Sequence, residues 1–581
     1  MLHTIIKENS YQDSVNLMLL TNKLSTMEGV KRISIMMGTP ANKDIFKSTG
    51  LYTDELENAK PNDMMIVMEA EQEEKVQEVL EELDNFLKNQ AISDTGSNFT
   101  TVRTWDKATK ALPSANMALI SVPGQYAPEE IDKALNNGLH AFVFSDNVPI
   151  EEEVRLKKKG KEKGLLVMGP DCGTGVMGGI PLAFANVIAD GNIGVVGASG
   201  TGIQEVTTII DRLGGGITHA IGTGGRDLSD KVGAITMIES IKGLENHQGT
   251  KVVVVISKPP APEVRDHVTQ VLQSLSKPAV AIFIGEKPEY HEGNVHFAHT
   301  LEETAVLAVE LSKGNKIASP EAREISVPEV SLKEGQTSIK GLYSGGTLAG
   351  EAAMLISEAL GLEKGAKKEE GFQLKSGGHM VVDLGDDVYT QGKPHPMIDP
   401  ETRVKFMKEA AQDEDTAVIL FDLVLGYGSH EDMAGALLPA IKEIQAEAKA
   451  AGKEIPFVSF VCGTDKDPQS YKEQREKLQS AGVLMYDSNV QAVKAALKLI
   501  GKELKEIQKE HRELSSPVQK EDLTVAAPIQ KLLNEKPMVI NVGLKKFTNA
   551  VLNHGGQVVQ FDWRPVAGGN ERMRKILSLL Q

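Results

Sequence analysis

The chain has 581 residues, which at roughly 100–200 residues per domain implies three to five domains. A composition 41% hydrophobic and 25% charged excludes a disordered, collagen-like or repeat-array chain. Lys+Arg 63 against Asp+Glu 80 gives a net charge of −17, which argues against sequence-independent nucleic-acid or anionic-membrane binding, since both need a net positive surface.

Cys172 and Cys462 are the only cysteines, far apart and in unlike contexts, so neither a disulfide framework nor a CxxC metal knuckle is expected. The N-terminus turns polar too soon for a secretory segment. Apolar runs such as Val252 to Ile256 fall far short of the ~18–20 residues that span a bilayer. The expectation is a cytoplasmic protein with no membrane and no nucleic-acid partner.

In chain order, Leu2 to Lys7, Ile33 to Met37 and Met64 to Glu69 read as strands, and Gln12 to Ser25 as a helix between the first two. Val76, Val79, Leu80, Leu83 and Leu87 then make one apolar stripe on an acidic helix. Residues 1–92 are thus a small α/β domain, followed by a polar linker near Asn89 to Asn98. Ala118 to Val122, Ala141 to Phe144 and Leu165 to Met168 are buried-type strands separated by helices over Pro128 to Asn137 and Glu151 to Lys163, the cadence of a doubly wound domain.

Residues 192–311 and 337–500 repeat one order of events. A glycine-rich turn enters a helix in each: Ser199-Gly200-Thr201-Gly202 in the first, Ser344-Gly345-Gly346-Thr347 in the second. An aspartate-bearing segment follows, Gly222 to Asp227 and Val382 to Asp387. The strand pairs Val252 to Ser257 with Val418 to Leu423, and Ala279 to Gly285 with Pro456 to Gly463, come next. Helices Leu301 to Leu311 and Asn489 to Ile500 close the two copies. Gly314 to Thr337 reads as a linker, and Lys502 to Glu513 as a solvated charged helix. Pro537 to Val542 and Gln557 to Trp563 are two short strands around a helix, a tail too small to stand alone.

Unsatisfied amides and the macrodipole make each glycine-rich helix start attractive to an anion, although a Ser/Thr N-cap with a tight turn explains the same residues structurally. The duplication favours the anion. If the copies pack about a pseudo-two-fold axis, both helix tips face one point and hold a phosphate there. Neither turn carries a P-loop lysine or a GxGxxG spacing. Gly169-Pro170-Asp171-Cys172-Gly173 is a turn that brings backbone amides or Asp171 to a ligand, or a structural βα turn with a buried cysteine. In Gly224-Gly225-Arg226-Asp227 the guanidinium suits a carboxylate or phosphate, and an Arg–Asp surface pair is the alternative. Asp386, Asp387, His395 and Asp399 suggest metal or acid/base chemistry, against a simply hydrogen-bonded histidine. No metal-site or hydrolytic-triad motif appears, so no metal is expected.

Leu166 to Gly173, Gly191 to Val196 and Ser199-Gly200-Thr201 resemble the α subunit of succinyl-CoA synthetase. Residues 337–500, including Val382-Asp383-Leu384-Gly385, resemble the ligase domain of its β subunit. Over nearly its full length the chain resembles the FdrA family, through Met36-Met37-Gly38-Thr39-Pro40-Ala41-Asn42-Lys43, His395-Pro396-Met397-Ile398-Asp399-Pro400 and Trp563-Arg564-Pro565-Val566-Ala567-Gly568-Gly569-Asn570. The implied architecture is multidomain α/β. It comprises a small N-terminal α/β domain (1–92), a CoA-binding-like Rossmann domain (100–190), two flavodoxin-like ligase domains of the succinyl-CoA synthetase type (191–314 and 337–500) and a C-terminal docking module (536–581).

Two departures from the synthetase stand out. Its phosphohistidine stretch is replaced by Glu286-Lys287-Pro288-Glu289-Tyr290-His291, and its histidine-orienting glutamate by Ser257-Lys258-Pro259-Pro260. The nucleotide-grasping region of its β subunit has no counterpart here. The FdrA resemblance implies a component of oxamate carbamoyltransferase in anaerobic allantoin breakdown, forming oxamate and carbamoyl phosphate from oxalurate and phosphate with other subunits, alongside a separate carbamate kinase. Ser199, Gly200, Thr201, Gly202, Gly224, Gly225, Ser344, Gly345, Gly346, Thr347, Cys172 and Gly173 would seat phosphate and a small anionic substrate. Arg226, Lys258 and Asp171 would carry the chemistry. The enzymatic alternative is an acyl-CoA synthetase that uses CoA and works with a separate nucleotide-binding subunit. A non-catalytic scaffold is the third reading.

Overall fold

The computed structural model describes residues 2–70, 72–94, 99–315, 325–362, 371–391, 393–505, 507, 509–513 and 521–565. These fall into two compact units, Met1–Ala108 with Thr390–Pro394 and Val559–Gln581, and Thr109–Tyr389 with His395–Val558.

In the first unit, Met64–Ala70 runs between Leu2–Lys7 and Val30–Met37 in an antiparallel sheet. Its Met-Met-Ile-Val-Met run is apolar throughout because both faces are covered. Met64, Ile66 and Met68 pack on Leu17, Leu20, Leu24, Val79 and Leu83, while Met65 and Val67 meet Phe46, Leu51 and Leu56. Asp13 caps the Ser14–Ser25 helix through Asn16 N at 2.9 Å. The acidic helix extends over Glu73–Asp94, through much of the expected polar linker, whose remaining residues 95–98 lie outside the described chain. Trp563, from the terminal motif, packs edge-on against Tyr11 at 5.8 Å; residues 566–570 of that motif also lie outside the described chain.

The second unit confirms the parallel α/β reading and displays the duplication in its sheet order. In the first copy the order is Val295–Phe297, Ala279–Phe283, Val252–Ser257, Asp190–Ala198, Ile217–Gly222. In the second it is Leu484–Tyr486, Phe457–Cys462, Thr416–Val424, Ser338–Tyr343, His379–Asp383. Each ladder is parallel and ends on an antiparallel strand, but the strand has a different origin. Thr174–Met177, from upstream of the copy, pairs with Ile217–Gly222, whereas Phe372–Ser376 is inserted within the second copy. The Thr174–Ala183 hairpin therefore belongs to the first copy, and the Rossmann-like segment ends near Met168 rather than 190.

Two expectations change. The C-terminal segment is no separate docking module: Met538–Val542 pairs in parallel with Met117–Ile120, and the ladder continues through His140–Val143 to Val167–Met168. Its short apolar strand is stable because it completes a sheet begun more than four hundred residues earlier. Nor is Lys502 to Glu513 a helix. Glu510–Arg512 is a strand beside Tyr290–Glu292, and Lys509 Nζ turns inward to Glu303 (2.5 Å) and the Phe297 carbonyl (2.9 Å).

A buried ion cluster sets the loop after Ile217–Gly222. Lys157, fully buried, donates to Asp227 (2.6 Å) and to the Thr223 carbonyl (2.9 Å) and pairs with Glu153 (3.1 Å). Asp227 also accepts from Met237 N at 2.9 Å, at the start of helix Ile235–Asn246. This charge-assisted anchoring fixes Gly224, Gly225 and Arg226 where the site is built.

Candidate functional site

The two glycine-rich helix starts converge. Ser199 caps the Gly200–Arg212 helix, accepting from Gly202 N at 3.0 Å, and its hydroxyl lies 2.6 Å from that of Thr347 in the first turn of the Gly346–Leu360 helix. A Cβ placed on Gly345 would come within 2.9 Å of Thr201 Cγ2, so the tips touch directly.

The tips differ in what satisfies them. In the second copy an internal carboxylate fills the turn. Asp422 accepts from Ser344 N (2.8 Å), Ser344 Oγ (3.0 Å) and Gly345 N (2.8 Å), and the fully buried Arg403 pairs with it at 3.2 Å. Asp383 adds a second carboxylate: its Oδ1 accepts from Gly385 N at 3.0 Å, and its Oδ2 lies 2.3 Å from where a Gly346 Cβ would stand. Sequence reasoning missed Asp383 and Asp422 as site residues. Asp383 stood inside a quoted motif, but Asp422 is one polar residue in an apolar strand, a signal with no ligand attached.

On the first-copy side, Gly224 has φ +87° and approaches the Pro170 carbonyl so closely that a Cβ would lie 2.3 Å from it, a position only glycine fits. This brings Asp171 and Lys258 together, with Asp171 Oδ2 3.2 Å and Lys258 Nζ 3.7 Å from a Cβ on Gly225. Gly173 and Thr174 border the tip at Gly200. Lys258 is exposed, and so is Asp171, although protein atoms crowd its carboxyl closely. Desolvation there lifts its carboxyl to about 6, and Asp146 and Asp387 push the same way while Lys258 and Arg226 oppose them. Asp383 is lifted to about 7 by burial, opposed by the Gly385 amide and Lys258.

Other candidate residues are not brought in as expected. Arg226 pairs with Glu153 at 2.8 Å and donates to the Val148 carbonyl at 2.8 Å, so its carboxylate partner is Glu153 and not the adjacent Asp227. Cys172 is buried, its thiol set 3.6 Å from the Thr174 carbonyl and pushed up to about 12 by desolvation, and its amide donates to Val143. It is a core residue and not a ligand group. His395 is the hydrogen-bonded histidine: Nδ1 accepts from Met397 N at 3.2 Å, and burial lowers it to about 4. Among the histidines after the strand Ala279–Phe283, His291 accepts from Phe297 N, and His299 bonds Glu358 and the Glu286 carbonyl.

A CoA-ligase family model matches residues 342–499 and a CoA-binding-domain model residues 188–285, which together hold both helix tips. The class so defined is a succinyl-CoA synthetase-like fusion, with α-like and β-like ligase halves in one chain. Uncharacterized protein YahF of Escherichia coli (strain K12) is 41% identical over 497 residues, 84% of this chain and 96% of its own length. The chain belongs to the FdrA family. More distant relatives are Succinate–CoA ligase [ADP-forming] subunit alpha 2 of Archaeoglobus fulgidus, 25% identical over 33% of this chain and 67% of its own, and ADP-forming sulfoacetate-CoA ligase subunit SauD of Bilophila wadsworthia, 27% identical over 29% and 60%. These matches correct the expected carbamoyltransferase: the family models and named relatives point to a ligase-type enzyme.

A model described as an AllF heavy metal-associated domain matches residues 1–102. The residues present do not fit a thiophilic ion. This stretch has no cysteine, and Met36, Met37, Met64, Met65 and Met68 are buried in its cores. The loop after its first strand is engaged internally, Asn9 N donating to Asp63 and Asp13 capping a helix. Among the described residues no cluster of three or more His, Cys, Asp or Glu is arranged to hold a metal, and no helix is long and apolar enough to cross a membrane.

Proposed function

We propose that this chain is the ligase component of an acyl-CoA synthetase-type enzyme, seating the phosphate of an acyl phosphate at the opposed helix tips and working with a separate nucleotide-binding subunit. The observation that carries this reading is the 2.6 Å approach of Ser199 and Thr347, with Lys258 directly following the strand residue Ser257 that pairs with Ala198. Because Asp422 already occupies the second turn, the first tip, with the amides of Gly200 and Thr201, receives the oxyanion. When the CoA thiolate attacks the acyl carbon, the C–S bond forms and the C–O bond to phosphate breaks. The leaving phosphate gathers charge where the helix dipole and Lys258 stabilise it. The relatives named as CoA ligases support the thioester product.

This reading needs no histidine relay at the tips. His395 abuts Gly385, but its Nδ1 accepts a hydrogen bond, which keeps the neutral ring's proton on Nε2.

The test is to incubate the purified chain with acetyl phosphate or succinyl phosphate and CoA, following thioester and released phosphate, alongside calorimetric titration with inorganic phosphate. Thioester formation and phosphate binding support the reading, and failure of both overturns it. Lys258→Met is expected to weaken phosphate binding by about 10- to 100-fold, the equivalent of the ~1.5–3 kcal/mol of a hydrogen bond to a charged group. Unchanged affinity would remove Lys258 from the site.

A further inference from the structure

Behind the helix tips the two copies exchange carboxylates. Glu205 and Glu351 each stand six residues past their N-caps, Ser199 and Gly345. Glu205, in the first copy, accepts from Asn489 N at 3.0 Å, the first residue of the closing helix of the second copy. Glu351, in the second copy, accepts from Leu301 N at 2.7 Å, the first residue of the closing helix of the first copy. Asn489 links the pair. Its Nδ2 donates to Glu351 at 2.8 Å and to the Leu348 carbonyl at 3.0 Å, and its Oδ1 accepts from Tyr343 at 2.9 Å. Glu205 and Asn489 are fully buried and Glu351 is 1% exposed.

From this reciprocal capping we infer that Glu205 and Glu351 are positioning residues that hold a proton between the two ligase halves and couple it to occupancy of the oxyanion seat. No lysine or arginine pairs with either carboxylate among the described residues. Of the groups around them, Arg212 favours ionisation of Glu205, whereas Glu302 opposes ionisation of both acids and Glu205 opposes that of Glu351. Cys462 and Tyr343, both buried, are themselves pushed toward their neutral forms. Burial therefore dominates, lifting Glu205 to about 7 and Glu351 to about 8. Six residues of helix place each glutamate α carbon about 9 Å behind its tip, and helical side chains lean toward the N-terminus, near enough in a poorly screened interior for a dianion at the tips to favour proton uptake. The Cys462 thiol, a weak donor, faces the Glu205 carboxyl, and Oε2 accepts from no nitrogen or oxygen donor among the described residues, so this oxygen can take the proton without breaking the bond to Asn489.

The folded values lie above the ordinary glutamate value of 4.5, so the folded state binds more protons than the unfolded state between pH 4.5 and about 7–8. Stability falls as pH rises through that window, and the loss is complete above it. Glu205→Gln keeps an acceptor for Asn489 N and removes one titration. Glu351→Gln instead sets an NH2 against either the Leu301 amide or the Asn489 side-chain amide, and it serves as the destabilised control.

The inference rests on the oxyanion seat proposed above for its coupling, but not for its proton. The experiment measures melting temperature and affinity for sulfate, a dianion that does not titrate in this range, from pH 5.5 to 8.5 in the wild type and Glu205→Gln, with proton uptake read from calorimetry in buffers of different ionisation enthalpy. Wild-type sulfate affinity is expected to fall about tenfold from pH 6 to 8.5, the Gln variant falling severalfold less and taking up less proton. Its melting temperature should gain on the wild type as pH rises. Parallel stability profiles in the two proteins would overturn the proton-holding role, and equal pH dependence of sulfate binding would overturn the coupling. A wild type that binds no sulfate at any pH would defeat the oxyanion seat and the coupling with it, while the stability profiles would still decide the proton.

Discussion

Asp422→Ala is expected to destabilise the ligase-like unit by about 3–5 kcal/mol, the cost of stranding a buried charge. Arg403 is completely buried, and Asp422 is its ion-pair partner, through carboxylate and carbonyl together. Two further guanidinium nitrogens, Nε and Nη1, already lack partners. Desolvation lowers the proton affinity of Arg403, which shows how strongly its charge depends on the neighbouring carboxylate. The same substitution frees the Ser344 and Gly345 amides, so the second helix start loses its internal anion. Chemical denaturation followed by circular dichroism checks the stability loss. Asp422→Asn should cost less, since its carbonyl oxygen can still accept from one of those amides. A full-sized loss in both variants would identify charge, and not hydrogen bonding, as the dominant contribution.

This internal carboxylate marks where sequence reading reached its limit. The duplication was legible because strand, glycine-rich turn and helix recur in order, and local periodicity carries that information; the five parallel strands of each copy then match in order. The convergence of the tips also followed from symmetry, through Ser199 and Thr347. What symmetry concealed is that one tip is already satisfied. Asp422 lies seventy-eight residues from Ser344, so only the folded sheet brings them together. The charged run Lys502 to Glu513 misled for a related reason: its polarity suits a solvated helix, but the neighbouring edge strand at Tyr290–Glu292 pairs with Glu510–Arg512, and tertiary pairing overrides local preference. Cys172 and Arg226 sat in the right loops, yet one side chain turns into the core and the other toward Glu153. A motif fixes where the backbone goes more firmly than where a side chain points.

Gly345→Ala is expected to weaken phosphate binding by roughly 5- to 100-fold while leaving the protein folded, because an added Cβ overpacks the junction by an amount commonly worth about 1–3 kcal/mol. Gly345 has φ −107°, so alanine meets no backbone strain. What it meets is Thr201 Cγ2 at 2.9 Å, Leu348 Cδ1 at 3.0 Å and Thr201 Cβ at 3.1 Å. Leu348 can turn its methyl aside. Thr201 is stiff at χ1 and belongs to the facing tip, so the two helix starts must part by a few tenths of an ångström and the Gly200 and Thr201 amides shift from the oxyanion seat. Thr201→Ser in the Gly345→Ala background removes the clashing methyl and should restore most of the lost affinity, whereas serine alone should bind nearly as the wild type does. Calorimetric titration of the two single variants and the double variant gives the coupling directly. Wild-type affinity in folded Gly345→Ala would separate the oxyanion seat from the helix-tip junction, since the wedge acts only where the tips meet.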